Sequence, residues 1–585
     1  MSSLKKIWLL LTQHQRRMSI MLLVLMLIGM VLETLGISLV IPALGLLSQN
    51  DLASSYPFMT SLMEAFGNPT HKQLIIAGML ILVGVYTLKT VFLVFLTWRQ
   101  AHFVYEVQAD LSYKLFKGYL RQPYAFHLQR NSAELIRNTI GQVTDLTSVM
   151  QQGLVLITEL LVLFGISILL LAVEPIGALI VVSVLGLAGW GGHILTRSKI
   201  LKWGEARQLH EGKRIQHLQQ GLGGAKDVKL LGREAHFLEQ YDLHNIGSAT
   251  VGKRQVTLKA LPRLGLELLA VFGLSALVLT MIAQGKPLNA LLPIIGVFGA
   301  AAFRLLPSVN RIVMAIQGVR FYLPVIDTIS QEFRLIDNIN QEKQTSSCPF
   351  QNMLSINKVT YSYPETENSV LHDISLKIPR GASVGFIGGS GAGKSTLVDI
   401  ILGLLTPNAG SVDVDDIDIQ SNIRGWQNQI GYVPQSIFLT DDTLRRNVAF
   451  GIPENQIDDT AVSHAIHSAQ LEKFIYDLPQ GIETPVGERG VRLSGGQRQR
   501  IGIARALYHD PEVLVFDEAT SSLDVDTESS FMEAVRALQG EKTIIIVAHR
   551  LSTVEHCDHL FRLEEGRIVE EGAATVMLGK SLSHT

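Results

Sequence analysis

A run of consecutive residues, 388–396, carries the groups needed to hold phosphate. It follows an apolar, β-branched segment, Ser383–Ile387, and precedes a helical pattern over Thr396–Leu404. Glycine lets backbone N–H groups approach phosphate oxygens closely, and a helix N-terminus adds partial positive charge. Lys394 can reach the β- and γ-phosphates, and the hydroxyl of Ser395 can ligate Mg²⁺. The pattern predicts a phosphate loop rather than a plain glycine turn, formed by Gly388, Gly389, Ser390, Gly391, Ala392, Gly393, Lys394, Ser395 and Thr396.

Two further segments bring an acidic pair and an imidazole to the ends of predicted strands. The apolar run Val513–Glu518 ends in Asp517 and Glu518. Asp517 suits the outer coordination sphere of Mg²⁺, and Glu518 suits the general base that orients and deprotonates an attacking water. The strand Thr543–Val547 leads into His549, which can sense the γ-phosphate or hold that water. Together with the phosphate loop, these residues predict ATP hydrolysis.

A second anion site is indicated by Leu493–Gln497, which reads Leu-Ser-Gly-Gly-Gln and precedes a helical pattern over Arg498–Tyr508. Its serine and glycines stand at a helix N-terminus, where anions bind favourably. The chain thus has two such helix starts but one complete phosphate loop. The order of these motifs resembles that of the ATP-binding cassette family, and the resemblance covers residues 354–584.

The resemblance assigns further roles in the cassette. Tyr363 matches the aromatic residue that stacks on adenine, with Tyr361 as the less favoured alternative, and Thr484–Gly490 resembles a loop specific to exporters. Gln435 matches the residue that joins Mg²⁺ and water to the membrane domain. The resemblance implies Glu518, His549 and Gln435 in catalysis, Ser395, Gln435 and Asp517 around Mg²⁺, and Ser494, Gly495, Gly496, Gln497 and Asp524 as further ATP-binding residues.

The same resemblance implies a homodimer that uses ATP and Mg²⁺. In the family, ATP lies between the phosphate loop of one cassette and the signature serine of another. A chain with one of each must therefore pair with a second chain. Because Glu518 is intact, both sites of the homodimer are expected to hydrolyse ATP.

The composition indicates that a large part of the chain lies in lipid. Hydrophobic residues make up 47% and charged residues 17% of the 585 positions, whereas soluble proteins have about 25% charged residues. The mean hydropathy is +0.27, and the apolar excess lies within residues 18–310.

The net charge of −2 gives no reason to expect a nucleic-acid partner. The first apolar stretch, Met18–Leu47, is too long for a cleavable signal, and Cys348 and Cys557 form no disulfide framework.

Six apolar segments are long enough to cross a hydrocarbon core of about 30 Å, which takes roughly 20 helical residues. Glu174-Pro175 separates the third from the fourth, and Gln284–Pro287 separates the last two, because proline cannot continue a helix interior. The predicted spans are about 19–46, 74–98, 153–173, 175–195, 262–283 and 288–312.

The connections after the second and fourth spans are long, polar and basic, whereas the loop 48–73 has Lys72 as its single lysine or arginine. By the positive-inside rule, the N-terminus, these connections and the cassette are cytoplasmic. Segments near Arg121–Glu134 and Gly221–Phe237 resemble exporter coupling helices. We expect a multidomain chain: an all-α polytopic membrane domain of six transmembrane helices with long cytoplasmic extensions (1–325), a linker (326–353), and an α/β phosphate-loop nucleotide-binding domain (354–584).

Charged side chains inside the predicted spans allow two interpretations, because polar groups in a membrane are costly and often functional. In one, they form structural pairs, Arg263 with Glu267 and Glu33 with Lys89, while Glu159 has no assigned partner. In the other, cations that include two arginines without an intrahelical acid line a cavity for an anionic, phosphate-bearing cargo. The cations are Arg263, Arg304, Arg311 and Lys89.

Short segments of the membrane half resemble bacterial flippases for lipid-linked oligosaccharide in protein glycosylation: Glu33–Pro42, Gly223–Lys229 and Ala302–Ser308. An apolar pattern at helical spacing over Pro57–Phe66 indicates a surface helix that could touch a lipid tail. The resemblance implies a translocase in a bacterial inner membrane that exports or flips a polyprenyl-diphosphate-linked oligosaccharide by alternating access. The alternatives are a multidrug, lipid A or peptide exporter of the same fold, or an ATP-gated channel or regulator.

Overall fold

The computed structural model describes residues 3–39, 70–173, 175–283, 288–337, 349–364, 366, 368–520, 525–548 and 550–582. The chain forms two compact units. The first consists of Met1–Gln122 and Arg130–Ile339, and the second of Pro123–Gln129 and Asn340–Thr585. The predicted surface helix Pro57–Phe66 and the predicted turn Gln284–Pro287 lie outside the described residues.

The first unit is helical, and α4 alone among the elements before residue 337 belongs to the second unit. A π-helical turn, Arg137–Gln142, interrupts the series after α5. The described helices up to residue 337 are α1 (Ser3–Leu10), α2 (Gln13–Ser38), α3 (His71–Leu120), α4 (Tyr124–Gln129), α5 (Ser132–Ile136), α6 (Val143–Val173), α7 (Pro175–Gly223), α8 (Ala225–Leu230), α9 (Glu234–Ala283), α10 (Leu288–Tyr322) and α11 (Pro324–Asp337).

Each predicted span lies on one long helix, in order α2, α3, α6, α7, α9 and α10, apart from the end of the first span. α2 ends at Ser38, and residues 40–46 of that span lie outside the described residues. The helices α3, α7 and α9 have 50, 49 and 50 residues. At 1.5 Å per residue each is roughly 75 Å long, more than twice the thickness of a hydrocarbon core. They therefore extend well beyond any membrane they cross, as expected for the long extensions. α4 and α8 form where coupling helices were predicted.

A search of the described residues alone finds three stretches long and apolar enough to cross a membrane: Gln13–Ser38, His71–Leu120 and Ser132–Ala172. A bent pair, Leu305–Tyr322 with Pro324–Ile336, would add a fourth if it forms one span. Many side chains on the other predicted spans lie outside the described set. Where side chains are described, α2 and α6 approach each other closely. A Cβ on Gly165 of α6 would lie 2.4 Å from Thr34 Oγ1 of α2, so the small residue allows close helix contact.

The beginning of the predicted linker forms a helix. Residues 326–353 read as a polar connection, yet α11 covers Pro324–Asp337 and buries Val325, Ile326 and Ile329. The Tyr119 hydroxyl donates a 2.8 Å hydrogen bond to buried Glu332, and burial together with this carboxylate raises the pKa of Tyr119. The apolar residues of α11 lie at helical spacing on one face, so this helix packs as part of the first unit.

The second unit contains two sheets. A six-stranded sheet has the order β10-β9-β3-β8-β7-β6, and a four-stranded antiparallel sheet has the order β2-β1-β4-β5. The strands are β1 (Met353–Tyr361), β2 (Leu371–Pro379), β3 (Ser383–Ile387), β4 (Ala409–Val414), β5 (Ile417–Asp418), β6 (Ile430–Val433), β7 (Val513–Asp517), β8 (Thr543–Val547), β9 (His559–Glu564) and β10 (Arg567–Ala573).

The central strands β3, β7 and β8 are buried along their whole length and pair in parallel, as continuous apolar runs predict. Their carboxyl ends therefore meet at one edge of the sheet. The helices after residue 390 are α12 (Lys394–Ile401), α13 (Ile423–Gln427), α14 (Leu444–Val448), α15 (Asp459–Ser468), α16 (Glu472–Tyr476), α17 (Gly495–Leu507), α18 (Val525–Ala537), α19 (Leu551–Val554) and α20 (Ala574–Leu582).

Candidate functional site

The phosphate loop lies between β3 and α12, as predicted. Gly388 and Gly393 have φ values of 152° and 97°, which residues with a side chain rarely adopt. A Cβ at Gly388 would lie 2.2 Å from the carbonyl oxygen of Leu563. The buried Lys394 ammonium donates to the carbonyl oxygens of Gly388 and Gly389, both at 2.9 Å. The lysine is thus held within the curve of the loop, where a phosphate would meet it.

The aromatic residue predicted to stack on adenine is held against the same helix. The Tyr363 hydroxyl and Thr396 Oγ1 are 3.1 Å apart, and the ring of Tyr361 packs edge-on against Tyr363 at 5.2 Å. Tyr361 is only 4% exposed, whereas Tyr363 is half-buried. Tyr363 is therefore the better placed of the two tyrosines to present a ring face to a ligand.

The acidic pair lies at the end of β7 beside the predicted glutamine. Gln435 Nε2 donates a 2.6 Å hydrogen bond to Glu518 Oε2, and the Tyr432 hydroxyl is 3.5 Å from Asp517 Oδ2. Glu518 has a φ of 50°, a left-handed conformation that is costly for a non-glycine residue and concentrates at functional sites. Burial lowers the pKa of Lys394, and Glu518 and Asp517 oppose that shift. The carboxylate can accept a proton from a water bound at this edge.

The signature segment forms a capped helix start. Ser494 Oγ accepts from the backbone N–H of Gln497 at 3.2 Å, and Gln497 Oε1 accepts from the backbone N–H of Ser494 at 2.8 Å. This reciprocal capping makes α17 begin at Gly495, three residues before the predicted start. Within the described part of the chain, neither Ser494 nor Gln497 hydrogen-bonds to the phosphate loop. The structure therefore gathers the loop, Gln435 and the acidic pair, but not the signature.

Two predicted residues of the cassette site, His549 and Asp524, lie outside the described residues. In the described part, Ser395 is exposed on the first turn of α12, and Ser390 is exposed in the loop.

The predicted cargo residues are mostly engaged in ion pairs. Lys89 lies 2.9 Å from Glu33, and Arg263 lies 2.8 Å from Glu267, as the pairing interpretation predicts. Arg311, which has no acid on its own helix, lies 2.5 Å from Glu159 of α6, and the side chain of Arg304 is outside the described set. Arg311 thus has no acid on its own helix, as the sequence indicates, but a neighbouring helix supplies a carboxylate.

Sequence reasoning missed Asp399, a carboxylate in the apolar helix α12. Burial and the nearby Asp517 raise its pKa to about 6. Tyr124 of α4 belongs to the same unit. Burial raises the pKa of the Tyr124 phenol, and the nearby Asp399 and Tyr363 raise it further. The signal in the sequence is that Asp399 is the one charged residue in the apolar segment Leu397–Leu402. Its position beside Asp517 follows only from the fold.

Replacing Asp399 by asparagine is expected to stabilise the nucleotide-free cassette more at pH 7.5 than at pH 5. A carboxyl whose folded pKa is raised contributes its full stability below the unfolded pKa of about 3.9, and that contribution is lost as pH rises through the folded pKa. With a folded pKa of about 6 for Asp399, the increase in unfolding free energy caused by Asp399→Asn is larger at pH 7.5 than at pH 5 by about 1 kcal/mol. The melting temperature of the cassette transition measures this. Asp441→Asn, which makes the same chemical change at an exposed position, is the control. An effect of Asp399→Asn on the melting temperature that is independent of pH would contradict the prediction.

Comparison with known proteins agrees with this geometry. A family model for the ABC transporter matches residues 371–521, and one for the ABC transporter transmembrane region matches residues 18–281. An ATP-dependent lipid A-core flippase of Thiobacillus denitrificans is 30% identical over 510 residues, 86% of each chain. One of Alkalilimnicola ehrlichii is 29% identical over 480 residues, 81% of this chain and 80% of the relative. A putative multidrug export ATP-binding/permease protein of Staphylococcus aureus is 42% identical over 231 residues, 39% of this chain and 40% of the relative.

A solved structure described as a bacterial Atm1-family ABC exporter with ATP bound has the same fold. Its TM-score is 0.76 at 22% identity, and the match covers 97% of this chain and 96% of that one. The membrane-domain and cassette matches lie on the same chain in the order expected of a half-transporter. This chain therefore belongs to the ABC transporter family, as an exporter half-transporter whose ATP hydrolysis is coupled to transport across a membrane.

Proposed function

We propose that two copies of this chain form a homodimer in which each ATP lies between the phosphate loop of one copy and Ser494 of the partner subunit. The support is that the loop and the signature do not hydrogen-bond to each other within the described part of the chain. Each nonetheless presents a helix N-terminus suited to phosphate. ATP binding would then draw the cassettes together. The free energy for this conformational change would come from the difference in ATP affinity between the two conformations.

Hydrolysis is proposed to use Glu518 as the base for the attacking water, with Gln435 orienting its carboxylate through the 2.6 Å bond. Lys394 would neutralise phosphate charge, and His549 and Asp524 would complete the site. Hydroxyl, amide and carboxylate oxygens are donors that Mg²⁺ accepts, and Ser395, Gln435 and Asp517 fit that set. They would hold Mg²⁺, which supplies further charge compensation to the phosphates.

The proposed cargo is an amphipathic, phosphate-bearing glycolipid moved from the inner to the outer leaflet of a bacterial inner membrane. The supporting observation is the likeness to lipid A-core flippases, which over 510 of 585 residues must include most of the membrane half. Arg311 fits such a cargo. Its side chain is 44% exposed while that of its partner Glu159 is 10% exposed, so the guanidinium retains N–H groups for a phosphate.

A polyprenyl-diphosphate-linked oligosaccharide is the second candidate cargo. It is favoured by the resemblance of Glu33–Pro42, Gly223–Lys229 and Ala302–Ser308 to flippases of protein glycosylation. Both candidates combine acyl or prenyl chains with phosphate and sugar. The likeness to a multidrug exporter covers a smaller part of this chain, and we therefore rank drug export below both glycolipids.

The test is ATP hydrolysis and leaflet exchange in proteoliposomes loaded with a lipid A-core glycolipid, with a lipid-linked oligosaccharide, or with neither. One glycolipid should stimulate hydrolysis severalfold and cross in an ATP-dependent manner, while Glu518→Gln proteoliposomes should move neither. The glycolipid that crosses identifies the cargo. The proposal is wrong if drugs stimulate hydrolysis while neither glycolipid stimulates or crosses.

A further inference from the structure

A cavity in the helical extension of the first unit is lined by cations, and its lining residues lie outside the predicted spans. It has a volume of about 200 Å³ and lies between α5, the π-helical turn and α7. Its polar lining residues are Asn131, Glu134, Arg137, Lys213 and Gln216. Nothing in the proposed transport mechanism uses these side chains.

The charges around this cavity do not balance. Glu134 is already paired with Arg130 at 3.2 Å. Among the described residues, no carboxylate pairs with Arg137 or Lys213, and Lys213 Nζ donates to the neutral Gln216 Oε1 at 3.0 Å. Arg137 Nε is buried without an acceptor in the described part of the chain. A buried N–H without a partner is costly and needs an explanation, and a bound ion is one that the surrounding cations favour.

The backbone is shaped around the Arg137 guanidinium. A Cβ at Gly212 would lie 2.3 Å from Arg137 Nη1, so only the absence of a side chain on α7 lets the guanidinium lie there. Arg137 is also the first residue of the π-helical turn Arg137–Gln142, and such turns are frequent at functional sites. A planar guanidinium with free N–H groups matches the oxygens of phosphate-type anions.

From these observations we propose that the cavity binds a small soluble oxyanion of the phosphate class, held by Arg137 and Lys213. The volume is below the roughly 300–1,000 Å³ of sites for drug-sized ligands, which favours inorganic phosphate or a small phosphate ester. Binding would tie the π-helical turn to α7. An acidic side chain of a second copy is the competing occupant, and the experiment distinguishes the two.

The experiment measures hydrogen–deuterium exchange of the full-length protein in nanodiscs, with sulfate as the probe and chloride at equal ionic strength as the reference. Exchange of peptides spanning 131–142 and 209–216 should slow as sulfate is added, by about threefold at twice the dissociation constant. Lys213→Gln, which alters an exposed side chain, should abolish this protection. Gly212→Ala should weaken it by displacing the guanidinium, and Lys202→Gln, an exposed lysine elsewhere on α7, should leave it intact.

Two outcomes would overturn the proposal. The first is the absence of sulfate protection in the unaltered protein, which is also the result expected if a second copy fills the cavity with a carboxylate. The second is protection spread over the whole protein or unchanged in Lys213→Gln, because sulfate generally strengthens compact states by exclusion from protein surfaces.

Discussion

Replacing Glu518 by glutamine is expected to lower ATP turnover by about 10²–10⁴-fold, the range that a positioned general base contributes, while leaving ATP binding intact. The amide has nearly the shape of the carboxylate but cannot take a proton from water. The backbone should hold, because the Glu518 N–H donates to the carbonyl oxygen of Val547 at 3.0 Å whatever the side chain. Phosphate release at saturating ATP and binding of a fluorescent ATP analogue measure the two quantities.

A matched control comes from a second glutamate with a left-handed backbone. Glu565 has a φ of 44°, is exposed, and occupies the turn between β9 and β10. Glu565→Gln makes the same chemical change at the same kind of backbone position, and it should leave turnover within about twofold. If Glu518→Gln kept near-normal turnover, or lost ATP binding together with turnover, Glu518 would not be the base.

The cassette site could be predicted from sequence because its chemistry sits in short segments at strand ends. A loop such as 388–396 fixes its own geometry locally. Asp517 ends a strand whose register the sheet determines, and Glu518 follows it directly. The strands Ser383–Ile387 and Thr543–Val547 have the predicted bounds. Helix starts were less predictable. α12 begins two residues before the predicted Thr396, because the last residues of the loop already have helical conformation.

The membrane half could not be predicted as fully, because its polar groups are matched between helices far apart in sequence. Composition and periodicity locate helices, but they do not show that Arg311 of α10 faces Glu159 of α6. The same holds for Tyr119 and Glu332, whose contact turns part of an expected polar linker into a packed helix. The raised pKa of Asp399 likewise depends on burial and on Asp517, which are properties of the fold.

Mixing two inactive variants is expected to restore ATP hydrolysis if each site is built from two copies of the chain. Lys394→Ala removes the ammonium that is held by the carbonyl oxygens of Gly388 and Gly389. Ser494→Arg places a bulky cation at the cap of α17, where Ser494 Oγ accepts from Gln497. Homodimers of either variant carry a defect in both sites. A heterodimer carries both defects in one site and leaves the other site intact.

Random pairing of equal amounts yields heterodimers in half of the dimers, each with one intact site of two. Mixtures should then regain about a quarter of the normal hydrolysis if the sites act independently. Copurification through two different tags isolates the heterodimer, and vanadate trapping of one nucleotide per dimer reports its intact site even if turnover needs both sites. If each chain instead formed a complete site by itself, no mixture could contain an undamaged site, because every chain would still carry its own defect. Neither turnover nor trapping would then return, and the dimeric mechanism proposed for this exporter would be wrong.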